Sequence, residues 1–268
     1  MESETEPAKY QTIESRPDYY IETLDVRAAI EGEVLVEQAI TALLEPHAGL
    51  GVLDVGTGTG ADALQVAELV APGGHVVGID HSPDMIDEAR QRASSSELPI
   101  EFRRGDAHAL DFADASFDRC RCDRVLSHVS DPQTAVREMA RVVRPGGLVV
   151  ASDLDAGTAF VNSSDRPLAS GLALRLADGL ANGWVGRRLQ RYLVAAGLQD
   201  VRCVPIVVQN HVAFMRMVCA NPLAQMVDAG ETTAERVTEF WAELEEGERD
   251  GWLCSGVVCF TVVGRKSA

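Results

Sequence analysis

Between residues 50 and 152 short apolar runs alternate with amphipathic stretches, and a glycine or an aspartate stands at or just beyond the end of each run. Residues 51–55, 75–79, 100–103, 117–122 and 148–152 read as strands, and residues 60–69, 82–93 and 132–143 as helices. Ser82-Pro83 suits a helix start, with the serine as cap and the proline in the first turn. Ala71-Pro72-Gly73-Gly74 and Arg144-Pro145-Gly146-Gly147 stop two of the helices. Strictly alternating strand and helix forces parallel pairing, with the connecting helices on both faces of one doubly wound sheet. A ligand of such a sheet lies at the carboxyl ends of the strands. That rule gathers Gly56, Asp80, Asp106, Asp123 and Asp153 at one mouth, with Asp155 following the fifth strand close behind.

The flanks are less regular. Residues 1–17 look like an acidic leader, and residues 19–44 carry a helical apolar pattern that Gly32 is expected to break in two. We expect residues 1–48 to form a helical cap and residues 49–268 the main domain. Residues 154–196 read as largely helical after a polar turn at Asn162-Ser163-Ser164-Asp165, 201–208 as a strand, 212–247 as one or two helices with a gap near Gly230, and 257–263 as a last strand.

Charge narrows the partners. With 41 acidic and 24 basic residues the formal net charge is −17, which disfavours nucleic acid and anionic lipid. No apolar run approaches the ~20 residues of a membrane helix, and the first residues are polar, so a cytoplasmic protein is expected. The six cysteines show neither CxxC nor metal-ligand spacing. They read as reduced thiols, with Cys120 and Cys122 on the same side of a strand. One short acidic pair, Asp153 and Asp155, has too few ligands for a metal site.

The loop Asp54-Val55-Gly56-Thr57-Gly58-Thr59-Gly60 joins a strand to a helix. Its glycines let the backbone turn sharply and approach a ligand, and the helix start offers free N–H groups. GxGxG is not the GxGxxG of dinucleotide-binding domains, and no GK[ST] ending makes it a P-loop. Asp80 closes the second strand 20 residues after Gly60. A carboxylate there can accept two hydrogen bonds from a ribose diol, or simply cap the next helix.

Four stretches, VLDVGTGTG (52–60), VVGIDHSPDMIDEAR (76–90), RRGDAHALDFADASFDRC (103–120) and REMARVVRPGGLVVASD (137–153), resemble the class I S-adenosylmethionine-dependent methyltransferases, in the group related to the ubiquinone/menaquinone C-methyltransferases. The resemblance implies a mostly parallel seven-stranded sheet, a Rossmann-like α/β fold, with an antiparallel last strand and helical cap insertions at about 155–180 and 210–250. It implies S-adenosylmethionine as cofactor, held by Asp54, Gly56, Thr57, Gly58 and Gly60 in the loop and by Asp80 at the ribose. His81 and Met85 would pack the adenine, Gly105, Asp106 and Ala107 would read its edge, and Cys122 and Asp123 would approach the amine. Asp123-Arg124 departs from the family pattern. The arginine can pair with that aspartate or reach the cofactor carboxylate.

His128, in the segment that lines the wall between cofactor and acceptor in this family, suits a general base, or a structural histidine bonded to backbone. Asp153 is the other candidate for taking a proton, and Asp155 for touching substrate. One of Tyr10, Tyr19 and Tyr20 is expected to cover the site, with Tyr20 taken as a substrate contact. Trp184, Arg187, Arg188 and Tyr192 read as core and solvated face. The implied activity is methyl transfer to an oxygen or carbon, less readily nitrogen, of a small hydrophobic molecule in secondary metabolism, by a monomer or homodimer. The apolar residues of the cap, including Leu168, Leu172, Met215, Met226, Phe240 and Trp241, suggest that hydrophobic acceptor. A cyclase that keeps the cofactor without spending its methyl group and a nicotinamide-dependent oxidoreductase are the alternatives.

Overall fold

The computed structural model describes residues 17–268. Its centre is one seven-stranded sheet in the order β3-β2-β1-β4-β5-β7-β6. The strands are β1 (Gly51–Val55), β2 (His75–Asp80), β3 (Ile100–Arg104), β4 (Phe117–Asp123), β5 (Val143–Val161), β6 (Leu198–Gln209) and β7 (Ser255–Lys266). The first five pair in parallel, and β7 runs antiparallel between β5 and β6. The strand order reverses at β1/β4, the topological switch point at which such sheets open a crevice.

The helices are α1 (Pro17–Ala28), α2 (Glu31–Leu44), α3 (Ala61–Val70), α4 (Pro83–Ala93), α5 (Pro132–Val142), α6 (Arg166–Gly179), α7 (Leu189–Ala195), α8 (Val212–Asp228) and α9 (Ala234–Asp250). Alternate strand residues face opposite sides. Leu53, Val55, Cys120, Cys122, Val149 and Ala151 meet α5 and α7 on one face. Val52, Val76, Val150 and Cys259 meet α2, α3 and α4 on the other. Ser82 caps α4 as its sequence suggests, its hydroxyl accepting from Met85 N, with Pro83 in the first turn.

Three details depart from the sequence expectation. The break between α1 and α2 falls at Ala29-Ile30, and Gly32 lies inside the first turn of α2, where a β-carbon would stand 2.8 Å from the Val208 backbone. Close packing of α2 on β6 accounts for that glycine. β5 does not end at residue 152. It continues to Val161 because β7 pairs with it past Asp153 and Asp155, through Phe260 and Val258, and resumes after a bulge. Residues 154–161 are therefore strand, where the sequence suggested helix.

Candidate active site

The glycine loop sits at the carboxyl end of β1, tied to the next strand by Gly56 N and Thr57 N, which both donate to Ile79 O at 2.7 and 2.9 Å. Gly56 has φ +73, and a β-carbon there would run into the Val125 side chain. Only glycine meets both conditions. Asp80 braces the loop from β2. Its Oδ2 accepts from Gly58 N at 3.0 Å and its Oδ1 from Ser82 N at 2.9 Å, with His81 Nδ1 3.3 Å away. Each oxygen keeps acceptor capacity for a further donor. Met85 is buried beneath the same corner, and Gly105 N donates to Asp80 O at 2.9 Å. These contacts bring the ends of β1, β2 and β3 together. Beyond Gly105, Asp106 stands open at the surface. Its Oδ1 accepts from His108 N and lies 2.7 Å from the His108 ring, which holds its carboxyl below the usual range.

Asp54 is in the loop motif but not at the mouth. It is buried in β1 beside its register partner Arg121, whose Nε lies 3.2 Å from Asp54 Oδ1. Arg121 is itself buried, grips Glu37 of α2 through two hydrogen bonds of 2.6 and 2.8 Å, and lies 3.6 Å from Asp62. Burial pulls this guanidinium down, yet Asp54, Glu37 and Asp62 more than offset it and raise its pKa. Burial raises Asp54 and Glu37 in turn, against the pull of Arg121. Four residues later on α2 than Glu33, Glu37 completes a pair of carboxylates on one helix face, since Glu33 takes Arg124 at 2.5 Å. Sequence reasoning missed Glu33, Glu37 and Arg121. The charges at positions 33 and 37 were the available signal.

At the end of β4, Arg124 adopts φ +57, a left-handed turn that is costly for a side chain with a β-carbon. Its backbone N donates to Ser152 O at 2.9 Å. Asp123 receives Arg27 of α1 at 3.4 Å on Oδ2, while Arg124 Nε stays 3.7 Å from Asp123 Oδ1. Asp123 Oδ1 and Arg124 Nε are buried and have no hydrogen-bond partner. An acceptor and a donor side by side, both dry and both unsatisfied, cost several kcal/mol unless a ligand meets them.

α1 closes the mouth from above. Leu24 Cδ1 lies 3.3 Å from where a β-carbon on Gly58 would stand. Asp25 makes a bidentate pair with Arg92 of α4 at 2.8 and 3.0 Å, and the Tyr19 hydroxyl donates to Met217 O of α8 at 3.0 Å. Tyr20 is half-buried against Tyr19, edge to face at 5.9 Å, and burial raises its hydroxyl pKa. Tyr10 lies outside the described residues.

His128 is exposed at this mouth. Its pKa is lowered, first by loss of water around the ring and then by the positive fields of His81, Arg124 and Arg27. Asp153 and Asp155 depart from expectation. Both are fully buried, because the strand that carries them continues past Ser152 and β7 pairs alongside it. Asp153 accepts from Ser127 N and Leu154 N, each at 2.9 Å, and burial pushes its carboxyl up to about 6. Asp155 pairs with Arg187 through Nε and Nη2, and Arg187 stacks 4.8 Å from the Trp184 ring. Neither acid reaches the mouth, so neither touches a substrate there. Arg187 is exposed, as a solvated face requires, and also pairs with Asp155.

The apolar cap residues also have another use. Leu168, Leu172, Val212, Met215, Leu223, Met226, Phe240, Trp241 and Leu244 pack on one another as a third core that joins α6, α8 and α9. Their abundance is thus no sign of an apolar cavity. Among the described residues no cluster of His, Cys, Asp or Glu is placed to hold a metal, and no helix is long and apolar enough to cross a membrane.

A family model described as a methyltransferase domain matches residues 46–175, which carry the strand ends and the glycine loop of this mouth. An uncharacterized 37.1 kDa protein of transposon TN4556 in Streptomyces fradiae is 36% identical over 185 residues, 68% of this chain and 53% of that protein. The demethylmenaquinone methyltransferase of Deinococcus radiodurans is 43% identical over 104 residues, 39% of this chain and 43% of that enzyme. The chain thus spans about half the length of the curated relatives it matches. Among solved structures, the YcgJ protein of Bacillus subtilis superposes with a TM-score of 0.60 at 22% identity, over 87% of this chain and 98% of that one.

Proposed function

We infer that this chain, which belongs to the class I S-adenosylmethionine-dependent methyltransferases, moves a methyl group to an oxygen or an acidic carbon of a small organic acceptor, with His128 as base. The observation that carries the assignment of His128 is its position: an exposed imidazole at the mouth, in the segment that follows β4, with surroundings that lower its pKa. Family membership removes the nicotinamide alternative.

The mouth fits the cofactor. Asp123 Oδ1 and Arg124 Nε, an unsatisfied acceptor and donor, match the ammonium and carboxylate of an amino-acid tail. Gly56, Thr57, Gly58 and Gly60 allow close backbone approach, and Asp80 has acceptor capacity left for ribose hydroxyls. His81, Met85, Gly105, Asp106 and Ala107 stand at the adjoining corner, where adenine would lie. When bound, the sulfonium supplies an electrophilic methyl group. The chain itself holds the acceptor in line, keeps water out with α1, and takes the acceptor's proton at a nitrogen of His128.

For the acceptor we propose a hydroxylated ring such as a hydroquinone, turned over in a biosynthetic step and brought under Tyr20 and α1. Support comes from the named activity of the demethylmenaquinone methyltransferase relative. The net charge of −17 speaks against nucleic acid or a membrane surface as the partner. Incubation with methyl-labelled S-adenosylmethionine and a panel of 1,4-naphthohydroquinone, simple phenols and primary amines tests this. Label in the hydroxylated rings with release of S-adenosylhomocysteine is expected. Label confined to amines overturns the acceptor class, and turnover without S-adenosylhomocysteine reassigns the chain as a cyclase.

The histidine sets a pH dependence. Its folded pKa lies below the free value of 6.5, so the neutral, proton-accepting form predominates at pH 6.5 and above and is lost as pH falls through the lowered pKa. We expect kcat to be flat from pH 7 to 8 and to fall on the acid side of 6.5. His128→Ala should reduce kcat by roughly 10²–10⁴-fold with cofactor affinity unchanged. An acid limb that persists unaltered in His128→Ala would assign it to another group.

A further inference from the structure

We propose that Asn182 is a positioning residue for His128, holding the histidine by the carbonyls on either side of it. This rests on His128 acting as the base. Asn182 N donates to Ser127 O at 2.9 Å, and Asn182 Nδ2 donates to Val129 O at 2.6 Å. One residue therefore spans both neighbours of the histidine. The turn is also bound from the sheet side. Ser127 N donates to the buried Asp153 Oδ2 at 2.9 Å, and His128 N donates to Val125 O at 3.0 Å. Four backbone groups of a short segment are thus tied down, and the imidazole keeps little freedom beyond its own side-chain torsions.

A clamp works only if it is itself fixed. Asn182 lies between α6 and α7, in a stretch that is anchored independently. Val185 N donates to Asn182 O at 3.0 Å, and Ala156 N of β5 donates to Gly183 O at 2.8 Å. The Trp184 ring packs against Gly157, where a β-carbon would overlap it, and the Arg187 guanidinium lies over that ring at 4.8 Å. The buried Asp155 holds Arg187. The two acids of β5 therefore brace the His128 turn from two directions, Asp153 through Ser127 N and Asp155 through Arg187, Trp184 and the Asn182 stretch. An asparagine suits the post because its amide donates to Val129 O. The isosteric aspartate would turn an acceptor on that carbonyl.

The expected consequence is kinetic, because a base must stand within about 2.6–3.2 Å of the proton it takes. A displacement of about 1 Å can cost on the order of 10²-fold in rate. Asn182→Ala and Asn182→Asp are made in the full chain and compared with His128→Ala. Two measurements are taken with S-adenosylmethionine present: the NMR titration of the His128 imidazole, and kcat and KM for 1,4-naphthohydroquinone. In Asn182→Ala we expect the imidazole midpoint to rise toward the free value of about 6.5 and its lines to broaden as the ring gains freedom. We expect kcat to fall about tenfold or more, with KM and cofactor Kd within about twofold, and Asn182→Asp to be worse.

A purely structural role would instead lower melting temperature, kcat, cofactor affinity and acceptor affinity together, with the midpoint unmoved, and would overturn the proposal. Wild-type kcat in Asn182→Ala beside an inactive His128→Ala overturns the clamp and leaves the base standing. Wild-type activity in His128→Ala removes the base and the role of Asn182 with it. If naphthohydroquinone is not an acceptor, the titration decides: an unchanged midpoint and line width in Asn182→Ala overturns the proposal.

Discussion

Arg121→Ala is expected to cost the folded chain about 3–5 kcal/mol, because it strands buried carboxylates whose counter-charge it removes. Arg121 is 1% exposed and sits between Asp54, 4% exposed, and Glu37, with Asp62 close by. A typical folded domain holds only about 5–15 kcal/mol in total, so the loss is a large share. A fall in melting temperature of roughly 10–15 °C is the corresponding observable. The deficit should depend on pH in a stated direction. Burial already raises the pKa of Asp54 and Glu37 in the folded chain, and loss of the guanidinium raises both further. A carboxyl with a raised folded pKa contributes stability below its unfolded value and loses it as pH rises through the folded one. The variant should therefore come closest to wild type in mild acid and fall furthest behind at neutral pH. Replacing Arg121 together with its two nearest partners, Arg121→Met with Glu37→Met and Asp54→Leu, should recover most of the loss, since a well-packed apolar group often matches a buried ion pair. Thermal melts at pH 5 and pH 8 check both statements. An Arg121→Ala variant as stable as wild type at pH 8 would show that water reaches the pair.

Asp80→Ala is expected to weaken S-adenosylmethionine binding by at least about a hundredfold. Two charge-assisted hydrogen bonds to ribose hydroxyls are each worth about 1.5–3 kcal/mol, which together correspond to roughly 10²–10⁴ in Kd. The same carboxylate accepts from Gly58 N and Ser82 N, so the alanine variant also releases the loop. Asp80→Asn separates the two effects. It keeps one carbonyl acceptor for the loop but loses the charge and half of the acceptor capacity, and an intermediate loss is expected. Calorimetric titration of both variants with the cofactor checks this, with far-ultraviolet circular dichroism as the control for fold. A Kd within threefold of wild type in Asp80→Ala would place the ribose elsewhere.

The parts of this protein that the chain's local pattern conveys are those set by local physics. Runs of Val, Ile and Leu punctuated by Gly, Pro and Asp are enough to give the alternation of strand and helix, because a helix and a strand each bury residues at their own period. The loop at Gly56 is legible because its backbone conformation admits no side chain, and Asp80 because it follows at a spacing that the strand and helix lengths impose. The Ser82-Pro83 cap is legible for the same reason. Asp153 and Asp155 were misplaced since nothing near them says that the strand goes on. Their burial comes from β7, more than a hundred residues later, pairing alongside. The apolar residues of the cap were misread because an apolar face looks the same whether it meets a ligand or another helix, and here α6, α8 and α9 meet each other.

From its sequence alone the chain determines its fold class, the methyltransferase family it resembles and the cofactor that family uses, all of which rest on short contiguous patterns. Only the tertiary structure decides which charges meet. Glu37 finds Arg121 across 84 positions and Glu33 finds Arg124 across 91, pairings that α2 makes by lying over the end of β4. It also decides that His128 alone of the expected catalytic pair stays open, while Asp153 is turned inward to hold the segment that carries it. The reason is physical: the cost of burying a charge depends on what else is buried beside it, and that neighbour is chosen by the packing of the sheet and not by adjacency along the chain.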